Sequence, residues 1–142
     1  MATAIARRRD GYAHEVEIEG GHKLLVDEPV EAGGADAGPS PTRVVAAALA
    51  SCTAITVEMY AQRKQWELGA VEVEVEREPD GRGGVKGFTV TLRVPEPLDD
   101  EQQARLLTIA GKCPVHRALA GATPVAIADR IETAGAPSAP GP

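Results

Sequence analysis

The sequence predicts a mixed domain of helices and antiparallel hairpins, class α+β, from three observations. Residues 12–26 and 71–94 each alternate with a period of two around a glycine turn, the pattern of a hairpin. Between them, no Gly or Pro interrupts the chain from Pro41 to Gly69, which reads as one long helix. Two shorter helical patterns follow the second hairpin.

Each element has a local cause. Residues 1–11 are short and basic, with Arg7, Arg8 and Arg9 leading into the first strand. From Tyr12 to Glu19, Tyr12, His14, Val16 and Ile18 fall on one face and Glu15, Glu17 and Glu19 on the other. Gly20-Gly21 is a two-residue turn signal, and His22 to Val26 reads as the returning strand. Asp27 to Pro39, rich in Gly, Pro, Asp and Ala, reads as a loop. Ser40 is the expected N-cap and Pro41 the first residue of a helix to about Lys64, about 36 Å long at 1.5 Å per residue. Its first half, Val44 to Cys52, carries no charge, so it is expected to be buried on every side. Val71, Val73 and Val75 alternate with Glu72, Glu74 and Glu76. After the turn at 80–84, Phe88 to Val94 returns. Asp99 opens a second helix with Asp100 and Glu101 in its first turn, Leu106, Leu107 and Ile109 on its apolar side, and Gly111 at its end. Cys113-Pro114 opens a third helix to about Ala120, and Pro124 to Ile131 reads as a last strand. Residues 1–133 are then one domain, and the Ala- and Pro-rich stretch 134–142 reads as a disordered tail.

Composition narrows the function. With 142 residues and 14.8 kDa, the chain has the size of one compact domain. Its net charge of −6 disfavours nucleic acid and anionic membrane as partners, since both call for a concentrated basic surface. One Trp, two Tyr and one Phe are too few for an aromatic stacking platform. No run reaches the ~18 continuous apolar residues of a spanning helix, so a soluble cytoplasmic protein is the expectation. Two cysteines are too few for a disulfide scaffold and point to chemistry or to ordinary burial.

Cys52 falls near the middle of the long helix and Cys113 at the start of the third. A thiol at a helix N-terminus meets positive partial charge and free N–H groups that favour its thiolate, and His116, one turn on, offers a cation or proton donor. Spacing alone leaves three readings open: a reactive pair, two buried structural thiols, or a metal site. The metal site would take Cys113, His116 and Cys52 but lacks a nearby fourth ligand.

The block Gly38-Pro39-Ser40-Pro41 followed by Val44 to Cys52, together with Cys113-Pro114-Val115-His116-Arg117, resembles the two cysteine motifs of the OsmC/Ohr superfamily. The likeness extends to Asp27-Glu28-Pro29 and Met59-Tyr60-Ala61, covers most of residues 10–130, and is nearest to the OsmC-like branch. The resemblance implies an OsmC-like fold, with two hairpins around a long buried central helix, in a domain-swapped homodimer with active sites at the subunit interface. It further implies thiol-dependent reduction of organic hydroperoxides, alkyl or fatty-acid, without a cofactor or metal. Carried over by motif, Cys52 is the peroxidatic cysteine and Cys113 the resolving one, joined by an intramolecular disulfide in the oxidised form. Arg9, in Arg9-Asp10-Gly11, matches the arginine that holds the thiolate charged. A lipoyl-type dithiol or a redoxin is the implied reductant.

One departure stands out. The family's glutamate, which holds that arginine, belongs one or two residues after the proline of the first motif, where this chain has Thr42 and Arg43. Arg43 is therefore an alternative cation for Cys52, with His116 and Arg117 next. The runner-up function is a non-catalytic dimer of the same fold that binds a small molecule or lipid.

Overall fold

The computed structural model describes residues 2–122, 124–135, 139 and 140. Strands β1 (Ala4–Asp10), β2 (Ala13–Ile18) and β3 (His22–Val26) form an antiparallel sheet in that order. The expected first hairpin is thus a three-stranded meander, because the basic lead segment is itself an edge strand. Its arginines match the acidic face of β2, with Arg7 on Glu17 at 2.7 Å and Arg9 on Glu15 at 3.5 Å. Gly20 and Gly21 turn β2 into β3 at φ +97° and +88°, values suited to glycine. Register places Ala6, Val16 and Leu24 side by side, so one face of the sheet is apolar and the other charged.

The loop after β3 folds around the Asp27 carboxylate, which is 1% exposed. It accepts the N–H groups of Glu28, Ala35 and Ala37 at 2.7, 3.2 and 3.1 Å. A short 3₁₀ turn, Val30–Ala32, interrupts this loop. Gly38 passes so close to β3 that a Cβ there would lie 2.2 Å from the Leu25 carbonyl oxygen.

Helix α1 (Pro41–Lys64) has the expected bounds. Ser40 stands at the N-cap, but its side chain makes no capping bond and faces Thr42 Oγ1 at 3.5 Å instead. The expectation that Val44 to Cys52 is buried on every side is corrected: only Leu49 of that block is buried, and Val45 is exposed. Burial concentrates further on, at Thr53, Val57, Tyr60 and Ala61. One chain offers one packing side, made by β4, β5, α2 and α3. The helix has the length and composition to cross a membrane, with a mean hydropathy of 1.6, yet its inner side packs as a core helix does.

Strands β4 (Glu72–Pro79) and β5 (Val85–Arg93) form the second hairpin, with Val73 opposite Leu92 and Val75 opposite Val90. The Asp80 carboxylate closes its turn by accepting the N–H groups of Arg82 and Gly84. Helix α2 (Asp100–Ala110) begins with a reciprocal capping box between Asp99 and Gln102. Leu106 and Ile109 turn inward as expected, but Leu107 is 65% exposed, because it lies on the helix side away from α1. Gly111 ends α2 in a right-handed conformation. Helix α3 (Pro114–Leu119) follows.

The core gathers Val57, Tyr60 and Ala61 of α1, Leu68, and Leu106, Ile109 and Ala110 of α2. Trp66 meets Tyr60 edge to face at 5.6 Å, and Arg105 Nε donates to the Tyr60 hydroxyl at 3.0 Å. The expected last strand from Pro124 to Ile131 shrinks to β6 (Arg130–Ile131), which pairs with β7 (Ala139–Pro140). A strand forms only where its backbone finds a neighbour, and 124–129 have none among the described residues. Of the expected tail 134–142, residues 136–138, 141 and 142 lie outside the described residues.

Candidate active site

Two elements distant in sequence bring the thiols together. Cys52 sits half-buried at mid-length on α1, and Cys113 is fully buried as the N-cap of α3. A tight link positions Cys113: Lys112 N–H donates to Ile109 and Cys113 N–H to Ala110, so α2 turns at once into α3. Pro114 then opens α3 at its first position. The Cys113 sulfur accepts the His116 N–H at 3.5 Å, a weak charge-assisting contact for a thiolate.

Cys113, the Val115 N–H and the Thr56 hydroxyl lie near enough to the Cys52 thiol to shift its titration. Burial pushes Cys52 above the ordinary thiol range, and Cys113 pushes the same way. The Val115 N–H and the Thr56 hydroxyl pull it back. No arginine, lysine or histidine is among the groups that shift it. A single copy therefore leaves the Cys52 thiol without the cation that favours a nucleophilic thiolate.

The other expected site residues are placed as follows. Arg9 lies on the charged face of the first sheet, paired to Glu15. Arg43 is exposed on the first turn of α1, and Arg117 is exposed on α3. His116 lines a groove of about 540 Å³ between α1, β5 and α3. Thr42, Val45 and Leu49 form the α1 side of this groove, and Phe88 and Val90 face them. The spacing 42, 45, 49, 52 keeps these residues and Cys52 on one helix face, so the groove points along α1 toward the dithiol. Among the described residues, no three His, Cys, Asp or Glu side chains gather to hold a metal ion.

Sequence reasoning missed Arg77. It donates from β4 to Thr42 Oγ1, and Thr42 is one of the residues that line the groove. The signal was present in the register: Val71, Val73 and Val75 continue to Arg77 on the side of the hairpin that meets α1, where the guanidinium stays exposed and reaches the helix.

Solved structures share this fold. A Psychrobacter arcticus protein described as osmotic-stress-induced and of the detoxification response is 22% identical with a TM-score of 0.75, over 82% of this chain and 87% of that one. The organic hydroperoxide resistance protein OsmC of Legionella pneumophila is 25% identical with a TM-score of 0.60, over 85% and 91%. The organic hydroperoxide resistance protein OhrB of Bacillus subtilis is 27% identical with a TM-score of 0.59, over 84% and 92%. No curated protein sequence matches the chain. The OsmC-like protein family itself matches residues 33–128, a span that contains α1, both cysteines and the whole groove. With that match and this fold, the chain belongs to the family of OsmC-like proteins.

Proposed function

We propose that the protein is a thiol-dependent peroxidase that reduces organic hydroperoxides to alcohols. The observation that carries this reading is the proximity of Cys52 and Cys113, two thiols drawn from different elements beside an apolar groove, near enough for Cys113 to shift the titration of Cys52. Family neighbours with hydroperoxide resistance in their names support it.

In this reading the Cys52 thiolate attacks the terminal peroxide oxygen. An S–O bond forms, the O–O bond breaks, and the departing alkoxide takes a proton to become the alcohol. Cys52 is then a sulfenic acid. The Cys113 sulfur attacks it, expels water, and closes a disulfide, which prevents overoxidation. A dithiol reductant, lipoyl-type or a redoxin, returns two electrons and two protons, as a reducing cytoplasm allows.

The cation that Cys52 lacks comes, in this reading, from a second copy. Domain swapping into a homodimer would bring Arg9 or Arg43 to the thiol. Two open apolar surfaces support the dimer. One is the concave face under the first sheet, about 900 Å³, walled by Ala6, Val16, Leu24 and Val26 and bounded by Val44. The other is the side of α1 that exposes Val45, Ile55 and Met59.

Thiol titration before and after stoichiometric cumene hydroperoxide tests the function. Loss of two thiols per chain with release of the alcohol is expected. Retention of both thiols favours the non-catalytic binding dimer and ends the peroxidase reading.

A further inference from the structure

We infer that the corner where the end of α1 meets α2 is a docking surface for an acidic peptide segment of a partner protein, bound by Lys64, Arg105 and the indole N–H of Trp66. This surface lies apart from the dithiol. Eight residues of helix, about 12 Å at 1.5 Å per residue, separate Tyr60 from Cys52, so the inference does not rest on the peroxidase reading.

The first observation is a cluster of cations around one buried ring. Tyr60 is 7% exposed, and side chains from two helices surround it. The guanidinium carbons of Arg63 and Arg105 lie 5.9 and 5.7 Å from its ring centre, and the Lys64 ammonium lies 5.9 Å from it. All three cations are exposed, and among the described residues none has a carboxylate within ion-pair distance. By contrast, Arg7, Arg9, Lys86 and Arg93 each hold a glutamate. The C-terminal dipole of α1 favours Arg63 and Lys64, and the ring favours a cation above it, but neither removes the repulsion among three like charges.

The second observation is a groove of about 760 Å³ beside the cluster, lined in part by Lys64, Trp66 and Arg105, that leaves donors free. Arg105 spends its Nε on the Tyr60 hydroxyl at 3.0 Å and keeps its other N–H groups. Among the described residues, the Lys64 ammonium and the Trp66 indole N–H, which can only donate, have no hydrogen-bond acceptor. Two acids also line the groove. Asp99 is committed to the capping box of α2, and Glu101, in the first turn of that helix, holds no cation.

Spacing selects the partner. Because each cation lies within 5.9 Å of one ring centre, no two stand more than about 12 Å apart. An extended peptide rises about 3.4 Å per residue and presents alternate side chains on one face about 7 Å apart. Two or three acidic side chains of such a segment match the cluster, whereas a single small anion meets only part of it. Half-buried Trp66 offers a flat apolar surface to a side chain between the acids. On a chain of net charge −6 the cluster is a local exception, so its attraction is short in range and sensitive to salt.

Trp66 is the only tryptophan of the chain, so its emission reports binding directly. Fluorescence titration of the reduced protein with hexaglutamate, hexaglutamine and tripolyphosphate tests the inference. Hexaglutamate is expected to bind at least tenfold tighter than hexaglutamine, and its affinity should fall several-fold between about 50 and about 200 mM salt. Lys64→Gln and Arg105→Gln should each weaken it about two- to fivefold, the scale of one exposed ion pair. Lys64→Arg should keep most of the affinity, and Arg82→Gln, in the distant hairpin turn, should leave it unchanged. Lys64→Gln breaks no hydrogen bond of the fold, so its loss reads charge even where Arg105→Gln melts lower. Equal affinity for hexaglutamine, or an equal loss in Arg82→Gln, overturns the inference. Tripolyphosphate binding as tightly as hexaglutamate overturns it in favour of a small-anion site. Lys64→Gln that alters dimer dissociation overturns it as well, since the cations then pair with acids of a second copy. No peroxide enters these titrations, so the surface and the peroxidase reading fail separately.

Discussion

Oxidising the chain with one equivalent of cumene hydroperoxide should close Cys52 to Cys113 and raise the melting temperature. The two residues enclose a loop of about 62 residues, for which the chain-entropy relation predicts a stabilisation of roughly 4 kcal/mol by restricting the unfolded state. A chain of this size shifts by roughly 2–4 °C per kcal/mol, so the unstrained limit is a rise of about 8–16 °C. Strain lowers that figure, because Cys52 is fixed within α1 and Cys113 holds the N-cap of α3. A rise of about 5–10 °C is therefore expected by calorimetry at constant protein concentration. Mass spectrometry of a non-reduced digest identifies the bond, and Cys113→Ser treated in the same way should show no rise. If the digest contains the Cys52–Cys113 peptide pair but the oxidised protein melts at or below the reduced one, the entropic argument is wrong. If it contains only intermolecular pairs, the pairing itself is wrong.

Other outcomes follow from particular residues. Cys52→Ser should abolish peroxide consumption, whereas Cys113→Ser should allow one turnover and then accumulate sulfinic acid, seen by mass spectrometry; sustained turnover of Cys113→Ser would refute the resolving role. Leu106, 1% exposed at the centre of the core, should cost about 2–5 kcal/mol when changed to Ala, measured by urea unfolding. The Asp27 carboxyl is held below its ordinary value of 3.8, chiefly by the Ala37 N–H, so its stabilisation is present above about pH 4 and is lost as pH falls through its folded value. Asp27→Asn should therefore flatten the acid limb of the stability curve, and an unchanged limb would count against the loop assignment. The pH dependence of Cys52 alkylation in Arg9→Ala and Arg43→Ala identifies the working cation: the variant whose titration moves upward has lost it, and if neither moves both assignments fall.

The candidate site was legible where one residue's chemistry and its immediate neighbours sufficed. Cys113 before Pro114 marks a helix start, and the structure places its sulfur on the His116 N–H one turn later. Cys52 in an uncharged helix reads as a buried thiol, yet it is only half-buried, because one chain covers a single side of α1. Arg9 was less legible, because a basic run next to a glutamate-rich strand also reads as an edge strand, and Glu15 claims it. Arg77 was within reach of the period-two pattern, yet its meaning depends on Thr42, 35 residues away on another element.

The sequence by itself determined the bounds of α1, the glycine turns and the strand alternation. Each follows from steric and hydrogen-bond preferences within a few residues: Pro41 at a helix start, the absence of Gly or Pro up to Gly69, and positive φ at Gly20 and Gly21. Only the tertiary structure decided that β1 joins the first sheet, that Cys52 meets Cys113, that Arg77 reaches Thr42, and that much of α1 stays open in one copy. These outcomes depend on which surfaces are left to bury once the local elements exist. That is a property of shape and packing over the whole chain, and residues 61 positions apart carry no local signal of their contact.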